Sequence, residues 1–327
     1  MRARSEQENP LSEPGSVPAR LPRLLFVGGL PRSGSTLFDL MVGQLPGFCD
    51  IGELFYLWQA GPLRDQRCAC GQEFSTCPFW QQVGDVAFGG WARVDIPAFL
   101  DLQRRVDSTS RLPLATLGRA LPHHDVDVST YRDILLRTYA AVSQVSGADV
   151  VVDSTKRPST MFLLAGDERL DFSLAHVVRD PRGVVNAWSR QVALPANTGA
   201  RDHLIQRPMR QTVRRWLSVN LMTEALTRRG VPTVRIRYED LVTDPRTAMR
   251  AVLELMGRPV TDEAISFVGP EGLSVGHSHA ATGGRIRMQS GTMPLRLDEK
   301  WRRELPVRKQ RVTVAASAPL MRRYGYL

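Results

Sequence analysis

The chain is short of several features that would each settle a broad class. Among its 327 residues no apolar run approaches the roughly 20 residues that a membrane-crossing helix needs. The stretch before Leu24 has no apolar segment of the kind a secretory leader carries, so the expectation is a soluble, cytoplasmic protein. Cysteine is scarce, at four (Cys49, Cys68, Cys70 and Cys77), which excludes a disulfide-dense scaffold. No run of Lys and Arg interleaved with aromatics stands out, so no nucleic-acid partner is expected. No internal repeat is visible, which removes solenoid architectures.

What is present favours one enzyme-sized core. Hydrophobic residues make up 43% of the chain, enough to bury a large domain. The formal net charge is +10, and a basic balance of this size suits an anionic partner such as a polyanionic small ligand. Residues 1–22 are rich in Pro, Ser, Glu and Arg and read as a disordered arm; residues 23–327 read as a single domain.

Helical and strand-like segments alternate from about Leu24 to Met256, which predicts an α/β fold with a central parallel sheet flanked by helices. Residues 24–28 form an apolar strand, and a glycine turn then opens a helix over 35–44. Further strands are expected over 148–152, 172–178 and 234–237. Helices are expected over 129–146, with a Ser or Thr cap, and over 211–229 and 243–256, the last ended by Gly257. Pro181 suits the first turn of another helix. Residues 46–128 read as an irregular cap over the sheet. The tail carries a Gly/His/Arg-rich loop over 277–291 and one or two closing helices. Polar clusters fall at the predicted strand ends: residues 29–36, 153–156, 179–182 and 238–240. Ligands of open parallel sheets bind beyond the carboxyl ends of the strands, so these clusters should converge.

The turn Gly29-Leu-Pro-Arg-Ser-Gly34-Ser35-Thr36 nearly fits the phosphate loop G-x4-G-K-[ST]. Its glycines let backbone N–H groups wrap an anion at a helix N-terminus. The lysine that reaches the β/γ-phosphates of ATP or GTP is replaced by Ser35, leaving Arg32 as the nearby cation. No clear magnesium-binding aspartate follows. A P-loop kinase or nucleotide hydrolase, and a non-catalytic nucleotide-binding module, are the competing readings.

Cys68, Cys70 and Cys77 form C-A-C-x6-C. Three readings stay open: reduced structural thiols, which the spacing favours, a disulfide, and zinc with Cys49 or a histidine as fourth ligand. His277 and His279 are spaced H-x-H without an obvious third ligand, and no metal is expected in the active site.

Arg32-Ser33-Gly34-Ser35-Thr36, between a strand and a helix, resembles the 5′-phosphosulfate loop of the sulfotransferases that use 3′-phosphoadenosine-5′-phosphosulfate (PAPS). His176-Val-Val-Arg179-Asp180-Pro181-Arg182 is similar to the 3′-phosphate motif of that family. Arg237-Tyr238-Glu-Asp-Leu241, Asp298-Glu-Lys300-Trp301 and the terminal Leu320-to-Tyr326 segment also resemble it. Gly52-Glu53, with Glu53 53 − 32 = 21 residues after Arg32, resembles the bacterial branch that is similar to tyrosylprotein sulfotransferases.

The resemblance implies sulfuryl transfer from PAPS to a hydroxyl of a small molecule or peptide, without a metal, leaving adenosine 3′,5′-bisphosphate. It implies Glu53 as general base, and Lys156 and Arg32 as cations on the transferred group and its leaving oxygen. Arg32, Ser33, Gly34, Ser35 and Thr36 would bind the 5′-phosphate, and Arg179 the 3′-phosphate. The family usually has a serine eight residues after that arginine; here the position is Ala187, and Asn186, Ser189 or Arg190 is expected to substitute. Tyr238 would shape the adenine pocket, and Arg285 and Lys300 would belong to a loop that closes over the donor. The cap aromatics Phe55, Tyr56, Trp58, Phe79, Trp80 and Trp91 fit either an aromatic acceptor or a small core of the cap itself.

Overall fold

A computed structural model describes residues 16–109, 126–190 and 206–327, with the side chain of residue 285 excepted. Five strands, β1 (Arg23–Gly28), β2 (Phe48–Asp50), β3 (Val150–Asp153), β4 (Phe172–Val178) and β5 (Thr233–Arg237), form a parallel sheet in the order β2-β3-β1-β4-β5. The chain leaves β1 to one side for β2 and β3 and returns to its other side for β4 and β5. This reversal opens a crevice at the β1 carboxyl end, the usual ligand position in such sheets.

β1, β3 and β4 read as continuous apolar runs because helices cover both sheet faces. Side chains alternate between two cores. Leu24 and Phe26 of β1 join the cluster shared with the helices of the cap; Leu25 and Val27 join the opposite one, with Val150, Val152, Ala175 and Val177. On the second face lies α1 (Ser35–Val42).

The region expected to be irregular is helical and also donates a strand. β2 extends the sheet edge, and α2 (Leu54–Ala60), α3 (Pro78–Phe88) and α4 (Ile96–Val106) follow. Short apolar spacing broken by Gly and Pro hid these elements. Their core is Trp58, Phe74, Trp80 and Phe99, each at most 2% exposed, with Trp58 and Phe99 ring centroids 4.0 Å apart. Trp58, Trp80 and Trp91 therefore serve the cap's own packing. The rest of the expected cap, residues 110–125, lies outside the described residues.

The next helix, α5 (Val126–Ser146), contains Ser129 within its first turn, so Ser129 is not the cap; its hydroxyl donates to the Val126 carbonyl. α6 (Pro158–Ala165), α7 (Pro181–Ser189) and α8 (Met209–Arg228) complete the crossovers. Pro181 opens α7 as expected, and Asp180 caps it by accepting from the Arg182 N–H at 2.8 Å. The helix expected over 243–256 is present as α10 (Pro245–Leu255), and a short unexpected helix, α9 (Tyr238–Thr243), precedes it. Asp244 sits between them, accepting from the Thr247 N–H at 3.2 Å.

After α10 a small antiparallel sheet, β6 (Val268–Gly269), β7 (Gly272–Val275) and β8 (Gly291–Met293), frames the Gly/His/Arg-rich loop. α11 (Trp301–Glu304) and α12 (Val307–Arg323) close the chain. Of the arm expected over 1–22, residues 1–15 lie outside the described residues. Val17 and Leu21 pack against the core, so its end is not loose. Among the described residues no helix is long and apolar enough to cross a membrane.

Candidate active site

The first candidate element is the turn between β1 and α1. Gly29 has φ +133°, and a Cβ there would lie 2.2 Å from the Val177 carbonyl oxygen. Gly34 has φ +89°, and a Cβ there would meet the Tyr238 ring at 2.5 Å. Both positions require glycine. Gly34 is the N-cap of α1 and brings no side chain to it, so the helix presents its leading N–H groups to the crevice. Ser33 and Ser35 are buried beside them. A buried N-terminus of this kind suits a phosphate.

Backbone strain marks the same place. Among the described non-glycine residues φ is left-handed at Arg32 (79°), Asp65 (48°) and Lys156 (59°). Two of these three are the predicted catalytic cations. Such conformations cost about 1–3 kcal/mol each and persist where surrounding contacts enforce them.

Lys156 follows β3, and Glu53 follows β2. The Lys156 Nζ donates to Glu53 Oε1 at 2.9 Å and to the Ser154 carbonyl. Their side chains are 3% and 18% exposed. The chain has only three lysines, Lys156, Lys300 and Lys309, so a buried one is a deliberate placement.

The pair is held from below by Asp153. Its Oδ1 accepts from the backbone N–H of Leu54 and of Thr155, and its Oδ2 accepts from the Tyr139 hydroxyl at 2.6 Å. Burial pushes the Asp153 carboxyl above its usual range, against these hydrogen bonds. Thr155 in turn accepts from the Phe55 N–H at 3.1 Å. On the other side Thr282 accepts from the Glu53 N–H at 3.1 Å and donates to the Glu53 carbonyl at 2.7 Å. Neither Asp153 nor Thr282 had a sequence signal as a holder of Glu53, because both act through backbone groups 99 and 229 residues away.

Arg179, at the end of β4, is 7% exposed. Its guanidinium lies 4.2 Å over the Tyr238 ring, donates to the Arg32 carbonyl at 3.3 Å, and donates to the Asp298 carbonyl and carboxylate at 2.8 and 3.2 Å. The Arg179 guanidinium and the Lys300 N–H hold the Asp298 carboxyl below the usual carboxylate range, against partial burial. The Tyr238 hydroxyl accepts from the Asp298 N–H at 3.1 Å. The Arg32 guanidinium faces the Trp188 ring at 5.7 Å.

The late loop also arrives. A Cβ on Gly284 would lie 2.7 Å from the Thr36 hydroxyl oxygen, so the turn Arg285–Met288 begins directly against the first turn of α1. Lys300 is exposed, and its N–H donates to Asp298 Oδ1 at 3.2 Å, beside Arg179.

Ser189 is not brought into this cluster. It is exposed at the far end of α7, and its hydroxyl donates to the Asn186 carbonyl at 2.8 Å. Asn186 and Arg190 are both engaged by the Glu304 carboxylate.

The cysteines separate. Cys49 lies in β2, where burial pushes its thiol up to about 12. Cys68, Cys70 and Cys77 meet His279, their ligand-type atoms all within 4.8 Å of one another. Of the two candidates for a fourth group, Cys49 or a histidine, it is His279 that joins the three thiols; the loop preceding Thr282 folds back onto the cap, which no local spacing could reveal. His277 is exposed and outside the group.

Residues 22–262 match the sequence profile of the sulfotransferase family. Human carbohydrate sulfotransferase 3 is 26% identical over 176 residues, 50% of this chain and 35% of that protein. The chain therefore matches about a third of that relative's length. Among solved structures, the sulfotransferase domain of the Synechococcus PCC 7002 olefin synthase is 20% identical at TM-score 0.48, over 94% of this chain and 98% of that one. A sulfotransferase from Mycobacterium avium is 18% identical at TM-score 0.42, over 76% and 67%. At these scores the structural likeness is distant, and nothing about substrate follows from it. The profile match spans β1 through α10, including the glycine turn, the Glu53–Lys156 pair and Arg179, and on that match the chain belongs to the sulfotransferase family.

Proposed function

We propose that this chain transfers a sulfuryl group from PAPS to a hydroxyl of an acceptor molecule, with Glu53 as base. The observation that carries the reading is the Glu53–Lys156 pair, which stands at the carboxyl ends of β2 and β3 beside an α1 N-terminus capped only by glycine. Members of this family generally draw on PAPS, which supplies an activated S–O bond.

The residues present fit a bisphosphorylated donor. The α1 N-terminus with Ser33, Ser35 and Thr36 would take the 5′-phosphate through N–H and hydroxyl donors. Arg179, with a planar fork of donors and Tyr238 beneath it, would take the 3′-phosphate. Asp298 now occupies part of that fork and would have to yield it.

The Glu53 carboxylate would accept the acceptor's hydroxyl proton as its oxygen attacks sulfur. The bond from sulfur to the 5′-phosphate oxygen breaks, and Lys156 and Arg32 would neutralise the charge that grows there. Glu53 and Lys156 are already in contact, so the base is oriented and its charge balanced before an acceptor arrives. Ser35 in place of the phosphate-loop lysine fits a donor that needs neither a γ-phosphate contact nor magnesium.

The acceptor would approach from the side of Phe55 and the exposed Tyr56, which sit edge to face on the first turn of α2. The relative named as a carbohydrate sulfotransferase makes sugar hydroxyls the first class to screen, ahead of phenols and peptide tyrosine. Calorimetric titration with adenosine 3′,5′-bisphosphate, ADP and ATP in the absence of magnesium tests the donor site. Tight binding of the bisphosphate alone, lost in Arg179→Ala, is expected; magnesium-dependent ATP binding without bisphosphate binding would overturn the reading.

A further inference from the structure

A second site stands apart from the crevice, where the cap meets the late loop. Cys68 and Cys77 are fully buried, and Cys70 and His279 half-buried. The Cys70 and Cys77 sulfurs are 3.7 Å apart; His279 Nδ1 lies 3.5 Å from Cys77 Sγ and 3.7 Å from Cys68 Sγ. A disulfide needs sulfurs about 2.05 Å apart, so these are not bonded. A tetrahedral Zn2+ with Zn–S of about 2.3 Å and Zn–N of about 2.0 Å sets edges of about 3.8 Å between sulfurs and about 3.5 Å between sulfur and nitrogen. These three separations match those edges, and all four ligand atoms lie within 4.8 Å of one another.

We propose that Cys68, Cys70, Cys77 and His279 bind one structural Zn2+. Four protein ligands fill a tetrahedral site and leave no open position, which marks a structural rather than a catalytic metal. A sulfur-rich tetrahedral set also selects zinc over magnesium or calcium, which take oxygen ligands.

The surroundings are built to orient the ligands. The Cys68–Gly71 turn is closed by the Gly71 N–H donating to the Cys68 carbonyl at 2.9 Å, with Gly71 at φ +91°. The His279 ring stacks on Phe79 at 4.6 Å and 11°, and its carbonyl accepts from Trp80 Nε1 at 2.8 Å. Zn2+ with three thiolates and a neutral imidazole carries one net negative charge. Arg287 supplies the balancing cation, and its guanidinium donates to the carbonyls of Arg67 and Ala280, the neighbours in sequence of Cys68 and His279.

The metal would tie the cap to the loop that holds the candidate base. From His279 the chain runs through Ala280, whose carbonyl accepts from Ala69, and Ala281, whose N–H donates to Ile51, to Thr282 on Glu53. That link to catalysis rests on the sulfotransferase reading; the metal site does not.

The test uses the full chain, purified without chelator and freed of any affinity tag. Elemental analysis is expected to find about one zinc per chain, released by a mercurial thiol reagent in the presence of a zinc-sensitive dye. Cobalt exchanged into the site is expected to show thiolate-to-metal charge transfer and the visible bands of a tetrahedral ion. Cys70→Ser should lose at least ten-fold in zinc affinity, whereas Cys49→Ser should keep its metal. His279→Cys should keep zinc and strengthen the cobalt charge-transfer band, a result that stands even if Cys70→Ser fails to fold. Absence of zinc with no tetrahedral cobalt spectrum, or full zinc content in both Cys70→Ser and His279→Ala, overturns the proposal. A chain that holds zinc but binds no bisphosphate keeps the metal site and sinks the sulfotransferase reading instead.

Discussion

Lys156 Nζ donates to Glu53 Oε1 at 2.9 Å across 103 residues of sequence, joining the ends of β3 and β2. If the two act as one unit, their effects on turnover do not add. Lys156→Ala should lower kcat by about 10²- to 10³-fold through lost charge stabilisation. Glu53→Gln should lower it by about 10²- to 10⁴-fold through lost base catalysis. The double variant should fall no more than about ten-fold below the worse single one. Steady-state assay of sulfuryl transfer checks this, and full activity in Glu53→Gln would remove the base from the mechanism.

The Asp298 carboxylate shares the Arg179 guanidinium with the anion proposed to bind there. Asp298→Asn removes a competing charge while keeping the shape. Bisphosphate affinity is expected to rise several-fold, since each factor of ten is about 1.4 kcal/mol. Calorimetry on both variants decides it; weaker binding in Asp298→Asn would mean that the carboxylate positions Arg179 rather than competing for the ligand.

Gly34 packs its α-carbon against the Tyr238 ring at φ +89°. Gly34→Ala combines left-handed strain with a Cβ 2.5 Å from Cδ2 of that ring. A loss of about 1–3 kcal/mol in stability is expected, together with loss of bisphosphate binding. Adding Tyr238→Ala should restore part of the stability, because the clash goes and the strain stays. Thermal unfolding of the single and double variants separates the two contributions.

His176 lies in the middle strand region of β4, fully buried, with Nε2 2.8 Å from Asn220 Oδ1. Burial pulls its imidazole down to about 4, against the hydrogen bond that Nε2 donates to Asn220 Oδ1. Its folded value is below its unfolded value, so the unfolded chain binds more protons between about pH 6.5 and 4. The stability conferred by the neutral ring is present above pH 6.5 and is lost as pH falls through that window. Between pH 7 and pH 5 the loss should be about 2 kcal/mol. Urea unfolding at the two pH values should show it, and His176→Gln should flatten that part of the slope. An unchanged slope would show that His176 is not the group responsible.

Much of the sheet was legible in the sequence. The apolar runs at β1 and β4 stand out because both faces of those strands are covered, and Pro181 and Gly257 mark helix boundaries through fixed backbone preferences. The cap was not legible. Its helices take their apolar faces from aromatics scattered among Gly and Pro, and their stability comes from mutual packing of Trp58, Phe74, Trp80 and Phe99 rather than from local propensity. β2 was missed for a related reason. Its three residues carry no periodic signal, and only the neighbouring β3 makes them a strand.

The same division runs through the two sites. By itself the sequence determined the glycine turn, the strand-end positions of Lys156 and Arg179, and the clustering of three cysteines, because each depends on residues close together in the chain. Tertiary structure alone decided which partners those groups have: Glu53 on Lys156, Asp298 on Arg179, Thr282 on the Glu53 backbone, and His279 rather than Cys49 beside the three thiols. These pairings span up to 229 residues, and their closure is set by the sheet order and by the return of the late loop to the cap. No local pattern encodes a contact whose geometry exists only after the crossovers have folded.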